Sequence, residues 1–203
     1  MPEPRKPLAD VFLNIPYDQR FERLFLAYIA GISAFGLVPR ATLEIPSSAR
    51  RLEKIFALIR KSRYSIHDLS RVELDGHAPR TPRFNMPFEL GLSVAWERVG
   101  GKNHSWFACE SQHHRLTKSL SDLNGTDPYV HDGTVVGVFR ELRNIFVRPG
   151  KQPSISQMWK IYRDVRKNLP AILKNAGTRS VYRAGVFKEI CALAGASADR
   201  NRK

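Results

Sequence analysis

The chain has 203 residues, 42% of them hydrophobic, which suits one well-buried domain plus a helical extension and is too apolar for overall disorder. Its two cysteines, Cys109 and Cys191, are too few and too far apart for a disulfide framework or a metal-ligand cluster. No apolar run approaches the roughly 20 residues that span a bilayer. Met1-Pro2-Glu3-Pro4-Arg5-Lys6-Pro7 also lacks the apolar centre of a signal peptide, so the expectation is a soluble, cytoplasmic protein with no membrane partner. The net charge of +14 is uneven: residues 140–203 carry 15 Lys or Arg against 4 Asp or Glu, a net of +11, which leaves +3 for residues 1–139. Such a basic third is either a solvated face or an attractor of polyanions such as nucleic acid, an acidic membrane surface or an acidic protein surface.

Asp10 to Ile15 reads as a buried strand, and Pro16-Tyr17-Asp18 turns it into a helix whose apolar residues Phe21, Leu24, Phe25, Tyr28, Ile29 and Ile32 recur every three or four positions. Gly36 ends that helix, and a second strand runs from Leu37 to about Thr42. Ser47 or Ser48 supplies an N-cap for a second helix striped by Leu52, Ile55, Phe56 and Ile59. Tyr64 to Asp68 is a third strand, followed by a polar loop over 69–83 that holds Gly76, Pro79 and Pro82. A third helix opens near Pro87 and runs to about Val99, with Pro87 at its first position and Glu89 in its first turn, where the helix dipole favours an ionised carboxylate.

Ser105 to Cys109 is a fourth strand and Pro128-Tyr129-Val130 a fifth, after the turn at Leu123-Asn124-Gly125. Helix then dominates: Val135 to about Phe146, Ile155 to about Leu173 with an expected kink or break at Pro170, and Val181 to Leu193, with a frayed end from Gly195. The alternation predicts an α/β fold of three layers with a mainly parallel sheet over residues 1–139, and a basic helical extension packed on it over 140–203. Ligands of such sheets bind beyond the carboxyl ends of the strands.

Four groups converge at that edge: Asn14, Pro16, Tyr17 and Asp18 after the first strand; His67, Asp68 and Ser70 after the third; Arg83, Asn85 and Glu89 at the helix start; and Glu110 and Asp122 after the fourth. An aromatic ring, amides, carboxylates and a cation are the groups that hold a nucleoside or nucleotide. Neither the glycine-rich dinucleotide loop nor the Walker phosphate loop follows the first strand, which argues against dehydrogenases and ATPases. Each residue also has a plainer use: Glu89 as a helix cap, Asp68 as a turn residue, His67 and Tyr17 as packed core. The adjacent His113 and His114 lack a third ligand at metal spacing, so no metal is expected.

Val11-Phe12-Leu13-Asn14-Ile15-Pro16-Tyr17-Asp18, Ser65-Ile66-His67-Asp68-Leu69-Ser70, Asn85-Met86-Pro87-Phe88-Glu89-Leu90-Gly91 and Ser121-Asp122-Leu123-Asn124-Gly125 resemble the TIR-like and nucleoside 2-deoxyribosyltransferase-like group of flavodoxin-type domains. The similarity covers about residues 9–132, and the Asn-x-x-x-Glu-x-Gly pattern is its most specific part. The resemblance implies a flavodoxin-like sheet and action on an N-glycosidic bond, with Glu89 as the catalytic carboxylate and Asp68 orienting the leaving base. It also implies NAD or a related nucleotide as substrate or ligand rather than as a cofactor, a homo-oligomeric active state, and a role in bacterial anti-phage defence. The first strand departs from both branches, ending Asn-Ile-Pro-Tyr instead of in a Ser-rich or Gly-rich loop. A catalytically silent nucleotide sensor and a nucleic-acid-binding module built on the basic helices remain the rival expectations.

Overall fold

A computed structural model describes residues 9–46, 50–72, 81–100, 103–123, 125–147, 149–150 and 152–202. The expected N-cap at Ser47 or Ser48 and the centre of the 69–83 loop lie outside the described residues. Five strands are present: β1 (Asp10–Asn14), β2 (Val38–Ala41), β3 (Tyr64–Asp68), β4 (Ser105–Glu110) and β5 (Tyr129–Val130). They form one all-parallel sheet in the order β2-β1-β3-β4-β5, the flavodoxin-like arrangement. Among the described residues seven α-helices connect or cover them: α1 (Glu22–Ala34), α2 (Arg51–Lys61), α3 (Asn85–Val99), α4 (Arg115–Ser119), α5 (Val135–Ile145), α6 (Ile155–Asn175) and α7 (Ala184–Arg202).

Successive side chains of a strand point to opposite faces, and the two faces have different cores. Val11, Leu13, Ile66 and Cys109 join α1, α5, α6 and α7 in the larger core, where Phe25, Tyr28, Phe139 and Phe187 are fully buried or nearly so. Phe12 faces the other way and packs with Ile55, Leu58 and Ile59 of α2 and with Leu92 and Trp96 of α3. α3 seats Met86 and Leu90 beside Leu69 and Ala108. The result is the expected three-layer fold.

Three sequence expectations are corrected. α3 starts at Asn85, so Pro87 is its third residue and Glu89 its fifth; the missing proline N–H is harmless there because the first hydrogen bond to the Phe84 carbonyl comes from Phe88 N–H at 3.0 Å. Of the kink or break expected at Pro170, the break does not occur: α6 continues through it, and because Pro170 is exposed the Arg166 carbonyl it deprives of a donor lies on the solvent side. α7 does not fray at Gly195 but continues to Arg202, because Ala194, Ser197 and Ala198 are buried against the core. The boundary between residues 139 and 140 falls inside α5, and α1 packs against α5, α6 and α7 alike.

Candidate active site

A cleft of about 870 Å³ opens beyond the carboxyl end of β1, between the turn after β2, the start of α2 and the start of α3. The end of β1 and the turn after it contribute Asn14, Ile15, Pro16 and Tyr17; the β2–α2 side contributes Thr42, Arg51, Leu52 and Ile55; the α3 side contributes Thr81 to Met86, Phe88 and Glu89. Of the expected site residues, Asn14, Pro16, Tyr17, Arg83, Asn85 and Glu89 therefore meet in one place. Glu89 is the only carboxylate among the described lining residues.

Glu89 is 9% exposed, and its burial pushes the carboxyl up to about 7, an effect that Arg51 opposes. This runs against the expectation that the helix dipole favours the ionised carboxylate. As the fifth helical residue it lies past the free N–H groups, and loss of water outweighs what remains of the dipole. Near neutral pH both protonation states are populated.

Asn14 has one possible amide orientation. Its Nδ2 donates to the Met86 carbonyl at 2.8 Å and meets His67 Nδ1 at 2.8 Å; only an NH₂ group can satisfy a carbonyl. Asn14 and His67 are register partners on β1 and β3, which brings their side chains together on the α2/α3 face. With Nδ1 accepting, His67 carries its proton on Nε2 and donates to Ser65 Oγ at 3.0 Å. Ser65 then donates to His104 Nε2 at 3.1 Å, and His104 Nδ1–H donates to the Ser62 carbonyl at 2.8 Å. The chain is complete with His67 neutral, consistent with its burial, the main cause that drives its pKa down to about 3. Both Asn14 donors are thus occupied, and Oδ1 is left to accept from a ligand in the cleft.

Tyr17 is half-buried on the cleft wall. Its hydroxyl bonds Thr42 Oγ1 at 3.1 Å, and its ring packs against Phe25 and, at 5.5 Å, against Tyr182. Burial raises its pKa, so it stays protonated. Exposed aromatic surface comes instead from Phe84 and Phe88, 68% and 54% exposed, one helical turn apart and roughly opposite the buried stripe of Met86, Leu90 and Ser93. Asp18 stands behind the cleft, its Oδ2 3.3 Å from Arg83 and 3.4 Å from Arg71, its Oδ1 capping the turn at Phe21.

Asp68, His67's neighbour on β3, points to the opposite face and does not reach the cleft. It is fully buried, accepting from Tyr28 Oη at 2.8 Å, His131 Nε2 at 2.9 Å and Ser70 N–H at 2.9 Å. Burial would raise its pKa, but the hydrogen bonds and charge of His131 and the bonds from Ser70 prevail and lower it. Asp68 in turn pulls the His131 pKa up against burial, while Gly133 N–H donating to His131 Nδ1 at 3.1 Å favours a neutral ring with its proton on Nε2. Ser70 belongs to this network through its Oγ, 3.2 Å from His131. Glu110 is buried beside His131, and Asp122 is exposed on a short 3-10 turn away from the cleft lining.

Arg51, Thr42, Phe84 and Phe88 were not among the sequence candidates. Arg51 was within reach of the same reasoning, since every helix that follows a strand in a parallel sheet begins at the carboxyl edge. It binds the Ile45 carbonyl at 3.2 Å and the Thr42 carbonyl at 3.5 Å. Among the described residues no three His, Cys, Asp or Glu side chains group to hold a metal ion, and no helix is long and apolar enough to cross a membrane. Comparison of the chain with protein-family models and with curated proteins returns no match, so the family resemblance rests on the quoted motifs.

Proposed function

We propose that the protein cleaves, or transfers from, the N-glycosidic bond of NAD or a related nucleotide, with Glu89 as the carboxylate that meets the sugar. The observation that carries this reading is a single buried, cleft-facing carboxylate, flanked by the Asn14 acceptor, Asn85 and two arginines. When the bond between ribose C1′ and the nicotinamide nitrogen breaks, its electron pair leaves with nicotinamide, which becomes neutral. The sugar is left with cationic character at C1′. Ionised Glu89 stabilises or captures that centre, after which water or another acceptor adds to C1′ and sheds a proton. Nicotinamide needs no protonation to leave, which suits a cleft whose described lining residues offer no second carboxylate. Asp68, on the far face of the sheet, has no part in this step.

The test uses concentrated wild type and Glu89→Gln with NAD and a panel of nucleosides at pH 8, following released base by chromatography. Wild type should release nicotinamide, and the variant should lose activity by on the order of a hundredfold or more. The wild-type rate should rise with pH around the Glu89 value of about 7, because the ionised form does the work. Equal release by both proteins removes Glu89 from the chemistry. Calorimetric binding of NAD by wild type without any release makes the cleft a sensor.

A further inference from the structure

α6 presents to solvent a face that the cleft does not use. Its buried residues Met158, Ile161, Tyr162, Val165, Leu169 and Ile172 face the core. Lys160, Arg163, Lys167 and Lys174, all exposed, recur at spacings of three, four and seven about half a turn away, forming one row on the opposite face. At 1.5 Å per residue the row is about 21 Å long. None of the four makes an ion pair with a described residue, and Arg166 adds a further exposed cation beside them. Asp164, the one acidic residue on α6, is neutralised by Arg200 of α7 at 2.8 Å.

We propose that this face of α6 binds the phosphate backbone of a nucleic-acid duplex. Four cations in a line on a helix held rigid by α1 and α7 match a linear array of phosphates, and no carboxylate interrupts them. The same face argues against the other polyanions. Its remaining residues, Ser156, Pro170 and Ala171, supply no large apolar anchor for a bilayer. Nor is there an exposed aromatic for the bases of a single strand, since Trp159 packs edge-on to Phe139 and Tyr162 inside.

The experiment measures binding of the full chain to a labelled 20-base-pair DNA duplex by fluorescence anisotropy between 50 and 200 mM salt, with an RNA duplex of the same sequence as a second arm. Four phosphate contacts predict a log–log salt slope of about −3.6, which weakens binding on the order of a hundredfold across that range. The triple variant Lys160→Gln, Lys167→Gln, Lys174→Gln should flatten the slope to about −0.9 with an unchanged thermal midpoint. Glu89→Gln should bind the duplex like wild type, which separates this surface from the cleft chemistry. The proposal is overturned if wild type does not bind duplex at 50 mM salt, or if the triple variant keeps the wild-type slope. It is equally overturned if phosphatidylserine vesicles or a poly-glutamate peptide, but not duplex, show the dependence on these lysines.

Discussion

Glu89 is where sequence and structure come closest and then part. Its place beyond the strand edge was legible from the Asn-x-x-x-Glu spacing behind a strand and a loop. Its charge state was not, because that depends on the α2 residues folded over it, Arg51, Leu52 and Ile55 among them. The sign of its effect on stability follows. A carboxyl that titrates near 4.5 when unfolded and near 7 when folded holds its proton more tightly in the native state. Stability is therefore full below about 4.5 and declines as pH rises through about 7, by about 3 kcal/mol at most. Glu89→Gln does not ionise and should escape that loss. Urea denaturation should find the variant more stable than wild type at pH 8, with the gap closing by pH 4.5. His67, driven down to about 3, acts in the opposite sense by costing stability as pH falls below about 6.5, but both proteins share it and it cancels in the difference. A gap that does not change with pH would mean that Glu89 is not desolvated in the native protein.

At the scale of elements, the period-two alternation of β3 decides which of its polar residues belong to the cleft. His67 and Ser65 share a face with Asn14, whereas Asp68 faces α1 and α5. The sequence placed strands, helices and their alternation well, because apolar spacing reports burial directly. It could not supply strand order or register, which arise from contacts between distant segments, and so it gathered His67 and Asp68 into one site. Asp68 instead joins three elements: Tyr28 on α1, His131 after β5, and the turn at Ser70. Gly137 lets α5 press against this junction, since a Cβ there would overlap the His131 carbonyl. Asp68→Asn removes the buried charge that orders these donors and should destabilise the protein by about 2–4 kcal/mol. Its folded fraction should retain the cleft activity. Chemical denaturation together with activity per folded molecule separates the roles, and loss of activity at unchanged stability would return Asp68 to the chemistry.

For the molecule as a whole, the question is whether the basic helices are an extension packed on a separate α/β domain, as the sequence suggested, or part of one fold. Charge asymmetry reports surfaces and says nothing about what lies beneath them. Beneath, α7 buries Val186, Phe187, Ile190, Ala194 and Ala198 in the same core as α1. Just before α7, Tyr182 donates to the Asp18 carbonyl at 2.6 Å, and its ring supports Tyr17 on the cleft wall. Burial of Val186, Phe187 and Ile190 alone is worth about 1.5–3 kcal/mol each. Their loss approaches the entire stability of a typical domain, about 5–15 kcal/mol. A chain ending at residue 180 should therefore lose its cooperative thermal transition in circular dichroism, and with it the cleft around Glu89, although every described cleft-lining residue is retained. If that shortened chain still melted cooperatively and bound nucleotide, residues 181–203 would be an attachment to an independent α/β domain. The Tyr17–Tyr182 and Phe25–Phe187 ring contacts argue for the first outcome, because removing residues 181–203 takes packing partners from Phe25 and Tyr17 together.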